Sequence, residues 1–74
     1  MNREFMLRNL ILDRYTSIRQ FAGEIDIPYS TLMTLLTRGV GGASFDVVIK
    51  ICRNLEIDPV ELSQGNISYW GRKV

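Results

Sequence analysis

Tyr29, Ser30, Met33, Thr34 and Thr37 recur at the spacing of one helical face. Serine and threonine hydroxyls both donate and accept hydrogen bonds. The Met33 thioether and the threonine methyls can pack on an apolar group such as a thymine methyl. None of the five is Arg, Lys, Asn or Gln, whose bidentate contacts with base edges are each worth about 1–3 kcal/mol of discrimination. Selectivity through such a face leans on apolar contacts, water, shape and the spacing of paired sites. Groups suited to anions flank this set. Ser17 and Ile18 stand at a helix start, where free amides and the dipole favour negative charge, and Arg19 adds a cation in the same turn. Arg38 and the backbone amides of Gly39, Gly41 and Gly42 could hold a second phosphate, because glycine lets backbone approach closely. Each feature has a plainer reading. Arg19 and Arg38 also read as solvated surface charges, the glycines as a helix exit, and Tyr29 as packing on the preceding helix.

These side chains must be carried by the segment Ser17 to Gly39. Ser17 can N-cap a first helix, with Gln20 completing a capping box. Phe21, Ala22 and Ile25 follow at helical spacing, Asp26 sits at a turn, and Ile27 points back to the core. Pro28 opens a second helix, where its missing N–H is harmless. Leu32, Leu35 and Leu36 give that helix an inward face, and Gly39 ends it. Two short helices joined this way form a helix-turn-helix, whose outward-facing second helix can enter a DNA major groove.

On these residues the chain resembles the lambda-repressor-like, Cro-type (XRE-type) helix-turn-helix proteins. Ala22 matches the small residue where the two helices cross. Phe21, Ile25, Ile27, Leu32 and Leu35 match the apolar positions around the turn. The run from Ile27 to Leu62 is similar to small repressors of low-GC Gram-positive phages and mobile elements. The resemblance covers roughly residues 5 to 62. It implies that Tyr29, Ser30, Met33, Thr34 and Thr37 read bases, and that the protein represses transcription by occupying an operator; activation stays open. One position departs from the family. Asp26 stands where glycine is usual, and Asp tolerates the left-handed conformation better than most residues.

The remaining chain completes an all-α domain of about five short helices over residues 1–64. A first helix from about Arg3 to Arg14 has Met6, Leu7, Leu10 and Ile11 inward, with Asn2 as a candidate N-cap. Val40 to Ser44 reads as a flexible loop. Ser44 caps a fourth helix with Asp46 in its first turn. Its buried stripe is Val48, Ile51, Cys52 and Leu55. Asp58, Pro59 and Glu61 start a fifth helix, and Ile57 and Leu62 close the core. Residues 65–74 form a non-helical tail with three readings: a strand pairing in a dimer, a basic arm using Arg72 and Lys73, or a mobile terminus. Tyr69 and Trp70 favour packing on this domain or on a partner.

With 74 residues the chain can bury one modest core. Its net charge of +1 supports nucleic-acid binding only slightly. The charges are unevenly distributed, however. Arg14, Arg19, Arg38, Lys50 and Arg53 lie mid-chain, while Glu56, Asp58 and Glu61 gather toward the end. The absence of histidine and the single Cys52 leave no metal set and no nucleophile–base pair. No catalytic residue, metal, cofactor or small-molecule substrate is expected. Neither a signal peptide nor a membrane span is legible, and a lone, buried Cys52 suits a reducing cytoplasm. The expected partners are double-stranded operator DNA and a second copy of the chain. The interface of that homodimer is expected near the fifth helix and the tail. The rival reading is a helical protein-interaction module, or an antitoxin-like partner, that keeps the fold with little DNA binding.

Overall fold

A computed structural model describes residues 2–69. Trp70, Arg72 and Lys73, named above for packing or DNA contact, lie outside them. Five α-helices run in chain order among the described residues: α1 (Arg3–Arg14), α2 (Ile18–Glu24), α3 (Tyr29–Arg38), α4 (Phe45–Leu55) and α5 (Pro59–Ser63). Side chains cap four of their N-termini. Asn2 accepts the Phe5 amide, Ser17 that of Gln20, Ser44 that of Val47 and Asp58 that of Val60. Each such cap satisfies an amide the helix cannot.

Two local details differ from expectation. Gln20 Oε1 accepts from Thr16 N rather than from Ser17 N, so the capping box is displaced outward by one residue. Pro28 precedes α3 as its cap, at ψ 137°, instead of forming its first turn. Its carbonyl still accepts the first helical bond, from Leu32 N at 3.1 Å.

The turn between α2 and α3 is a Schellman motif. Ile27 N donates to Ala22 O at 3.0 Å and Asp26 N to Gly23 O at 3.3 Å. Asp26 holds the left-handed position at φ 60°. Ile27 is thereby turned into the core beside Phe21 and Ala22. The same arrangement ends α4. Ile57 N reaches Cys52 O, Glu56 N reaches Arg53 O, and Glu56 sits at φ 60°.

The core is apolar throughout. Leu7 and Ile11 of α1, Phe21 and Ala22 of α2, Leu32, Leu35 and Leu36 of α3, and Ile51, Cys52 and Leu55 of α4 meet Ile57 and Leu62. Met6, Leu10 and Val48, expected in the buried stripes, are only partly buried. Tyr15 covers Phe21 across the α1–α2 connection, with ring centroids 4.8 Å apart.

The segment after α3 is more ordered than its glycines imply. Val40–Gly42 forms a 3-10 turn, and Val40 is buried. Glu4 of α1 accepts the Val40 amide. The tail also returns to the domain. Ile57 and Tyr69 form an antiparallel bridge, Asp58 N donates to Ser68 O at 2.7 Å, and Ile67 packs on the core.

Candidate nucleic-acid interface

Helix α3 divides cleanly into two faces. Leu32, Leu35 and Leu36 are buried, and Ser30, Thr31, Thr34, Thr37 and Arg38 are exposed. A helix anchored on one side by three leucines holds the opposite stripe rigidly, because the interior packs like a solid. Ser30, Thr34 and Thr37 lie at the centre of that stripe. Met33 and Tyr29 lie along one edge, half-buried and packed against the core. The five expected reading residues therefore share a helix but not an equal exposure.

Their hydrogen-bonding capacity differs as well. The Thr37 hydroxyl donates to Met33 O at 2.8 Å and contacts Thr34 O at 3.3 Å. Its proton is committed to the helix, leaving acceptor lone pairs and a methyl group. Ser30 and Thr34 have no side-chain partner among the described residues. The first turn of α3 also lacks a side-chain cap, unlike those of the other four helices.

The residues expected to hold phosphates are only partly brought together. At α2, the Ser17 hydroxyl is occupied by the Gln20 amide, and the Ile18 side chain is buried. The backbone amides of Ile18 and Arg19 have no acceptor among the described residues. Arg19 is exposed and lies over the Tyr29 ring, 4.0 Å from its centroid. At the other end, the Gly39 amide is not free for a phosphate. It donates to Leu35 O at 3.0 Å and closes α3, with Gly39 at φ 130°. Gly41 and Gly42 are exposed.

Arg38 lies between two grooves. One is lined by Ser30, Thr31, Thr34 and Arg38 against Gly42, Ala43, Ser44 and Val47. The other is lined by Thr37, Arg38 and Gly39 against Asn2, Glu4, Phe5 and Arg8 of the α1 end. A third concavity, against Ile49, Arg53, Glu56 and Pro59, shares no residue with α3.

Sequence reasoning missed Thr31 and Arg8. Thr31 was legible, since it lies one helical turn before Thr34 on an exposed flank. Arg8 was not, because only the packing of α1 on α3 brings it beside Arg38. The expected mid-chain cluster of basic residues is divided. Arg14 donates to Leu55 O at 2.9 Å and lies over Tyr69, so it serves the α4 end.

A buried-backed polar helix after a tight turn, with arginines at its flanks, is the build of a helix-turn-helix DNA-binding domain. The family model described as a Cro/C1-type helix-turn-helix DNA-binding domain matches residues 6–64, and the chain belongs to that family. No curated protein and no solved structure matches it. Among the described residues, no helix is long and apolar enough to cross a membrane.

Proposed function

We propose that this protein is a sequence-specific transcriptional repressor that binds double-stranded operator DNA as a homodimer. The observation that carries the reading is the exposed stripe Ser30, Thr34 and Thr37 on a helix whose other face is the core. In this reading α3 lies in the major groove. Ser30, Thr34 and Thr37 meet base edges, Met33 packs on a thymine methyl, and Thr31 faces the adjoining strand. Arg38 and Arg8 take one phosphate in the groove they share, and the exposed amides of Gly41 and Gly42 offer a separate contact. Arg19 and the first amides of α2 take another. Glu4 lines the same groove as Arg38 and Arg8, and its charge there is offset by the ion pair with Arg3.

The dimer contact is assigned to α5 and the tail, where Val60 and Tyr69 stay exposed despite their apolar bulk. The domain spans residues 1–64, with 65–74 adding to that contact. The protein acts in the cytoplasm, without catalysis and without a small-molecule substrate.

Selection of duplexes from a random pool at near-physiological salt tests the reading. A palindrome with half-sites about ten base pairs apart is the expected product. A second reading, a protein-interaction module, is favoured by one observation: α3 has no charged residue before Arg38. A folded protein that enriches no duplex would overturn the DNA-binding reading and favour that alternative.

A further inference from the structure

Arg19 and Tyr29 lie on different helices, one in the first turn of α2 and the other at the first position of α3. The guanidinium carbon is 4.0 Å from the Tyr29 ring centroid, well inside the range of about 6 Å for a cation–π contact. The second such pair, Arg14 over Tyr69, is looser at 5.4 Å. Tyr29 is half-buried against the core, so its ring is a fixed surface. Arg19 is exposed, and the ion pair found among the described residues, Arg3 with Glu4, does not involve it.

We propose that Tyr29 is a positioning residue, a platform that holds the Arg19 guanidinium ready for a DNA phosphate. The proposal rests on the DNA-binding reading and deepens it. A guanidinium that stacks on an aromatic ring leaves its N–H fork for a phosphate, which it fits bidentately. A side chain held before binding loses less freedom on binding. One ring face of Tyr29 is covered by Arg19, so that face is closed to a base or a thymine methyl. Tyr29 therefore contributes to affinity for every duplex and not to the choice among sequences. Because the two residues bridge α2 and α3, the phosphate contact is also fixed relative to the reading stripe.

A mutant cycle tests this. Arg19→Ala, Tyr29→Leu, Tyr29→Phe and the double variant Arg19→Ala/Tyr29→Leu are titrated with a mixed-sequence duplex and with one enriched from a random pool, across a salt series. Circular dichroism and urea melts report folding, and Tyr29→Leu keeps most of the buried volume. Arg19→Ala is expected to weaken both duplexes by the same factor and to reduce the salt slope by about 1. Tyr29→Leu is expected to weaken both equally, by no more than Arg19→Ala, and to have no further effect once Arg19 is gone. Tyr29→Phe retains the ring and is expected to match the unaltered chain. Additive losses, or a Tyr29→Leu change confined to the enriched duplex, would overturn the proposal while leaving the DNA-binding reading intact. Absence of salt-sensitive binding by the unaltered, folded chain would overturn both.

Discussion

The Glu4 carboxylate accepts the Val40 amide at 2.8 Å, across 36 residues of sequence. The same oxygen takes Arg3 Nε at 3.0 Å, and Arg3 donates onward to Ser63 O at 2.8 Å. One dipeptide at the start of α1 thus ties down the exit of α3 and the end of α5. The Val40 amide, followed by Arg3, holds the Glu4 carboxyl below the usual carboxylate range against the opposing effect of its burial.

Stability should therefore depend on Glu4 in acid. A depressed folded-state pKa gives stabilisation that is fully present above the unfolded value. It is lost as pH falls through the folded value. Glu4→Gln is expected to melt lower at neutral pH and to show a shallower decline through about pH 4. Parallel melting profiles for the two proteins would show that the carboxylate charge is not what holds Val40.

Glu56 occupies a left-handed position at the end of α4, where a β-carbon is strained. Glu56→Gly should stabilise the fold by roughly 0.5–1 kcal/mol, the relief of strain exceeding the entropy glycine adds to the unfolded chain. Urea midpoints would show it. Asp26→Gly is expected to act in the same direction by less, since Asp accepts this conformation more readily.

Leu32 is fully buried beneath the exposed stripe of Ser30, Thr34 and Thr37. Leu32→Ala should lower stability by about 2–5 kcal/mol, the usual loss for a buried leucine truncated to alanine. In a small domain that is a large part of the total. A loss below about 1 kcal/mol, read from urea unfolding, would mean that the α3 anchor collapses readily around a smaller residue.

Arg38 and Thr34 should separate affinity from selectivity. Arg38→Ala is expected to weaken all duplexes alike and to lower the salt slope by about 1. Thr34→Ala is expected to change the ranking of sequences at near-constant salt dependence. Arg8→Ala should resemble Arg38→Ala if the groove they share is a phosphate seat. Unchanged affinity in all three would remove α3 from the DNA interface.

Burial, with a smaller contribution from Asp58, raises the Cys52 thiol to about 11. The thiol stays neutral in the native state, so alkylation should be slow until urea exposes it. The linkage runs toward alkaline loss. Above the ordinary value of 9.0 the unfolded chain sheds this proton while the folded chain keeps it. Stability should fall between there and about 11, and Cys52→Ala should lack that component.

The helix starts were legible because they are local. Asn2, Ser17, Ser44 and Asp58 each cap an amide two or three residues away. The inward stripe of α3 was legible from leucine spacing, and so was the outward stripe. What escaped depends on contacts remote in sequence. Val40 to Ser44 looked flexible because nothing nearby announces Glu4 as its partner. Arg8 became a candidate only when α1 packed beside the end of α3. Tyr29 read as an outward residue by spacing alone, yet Arg19 and the core share its ring. The displaced capping box at Thr16 is a finer case, since Gln20 is long enough to reach either amide.

Asp58 engages three groups at once. Its amide donates to Ser68 O, its side chain caps Val60 N, and its carbonyl accepts Leu62 N. Undocking the tail frees the first of these and loosens the residue that makes the other two. Helix α5 and residues 66–69 are accordingly expected to open as one cooperative unit, and the amides of Asp58, Val60 and Leu62 should share a single opening free energy in hydrogen exchange. A partner seated on that unit would slow all three together, making them a built-in gauge of assembly that needs no added label.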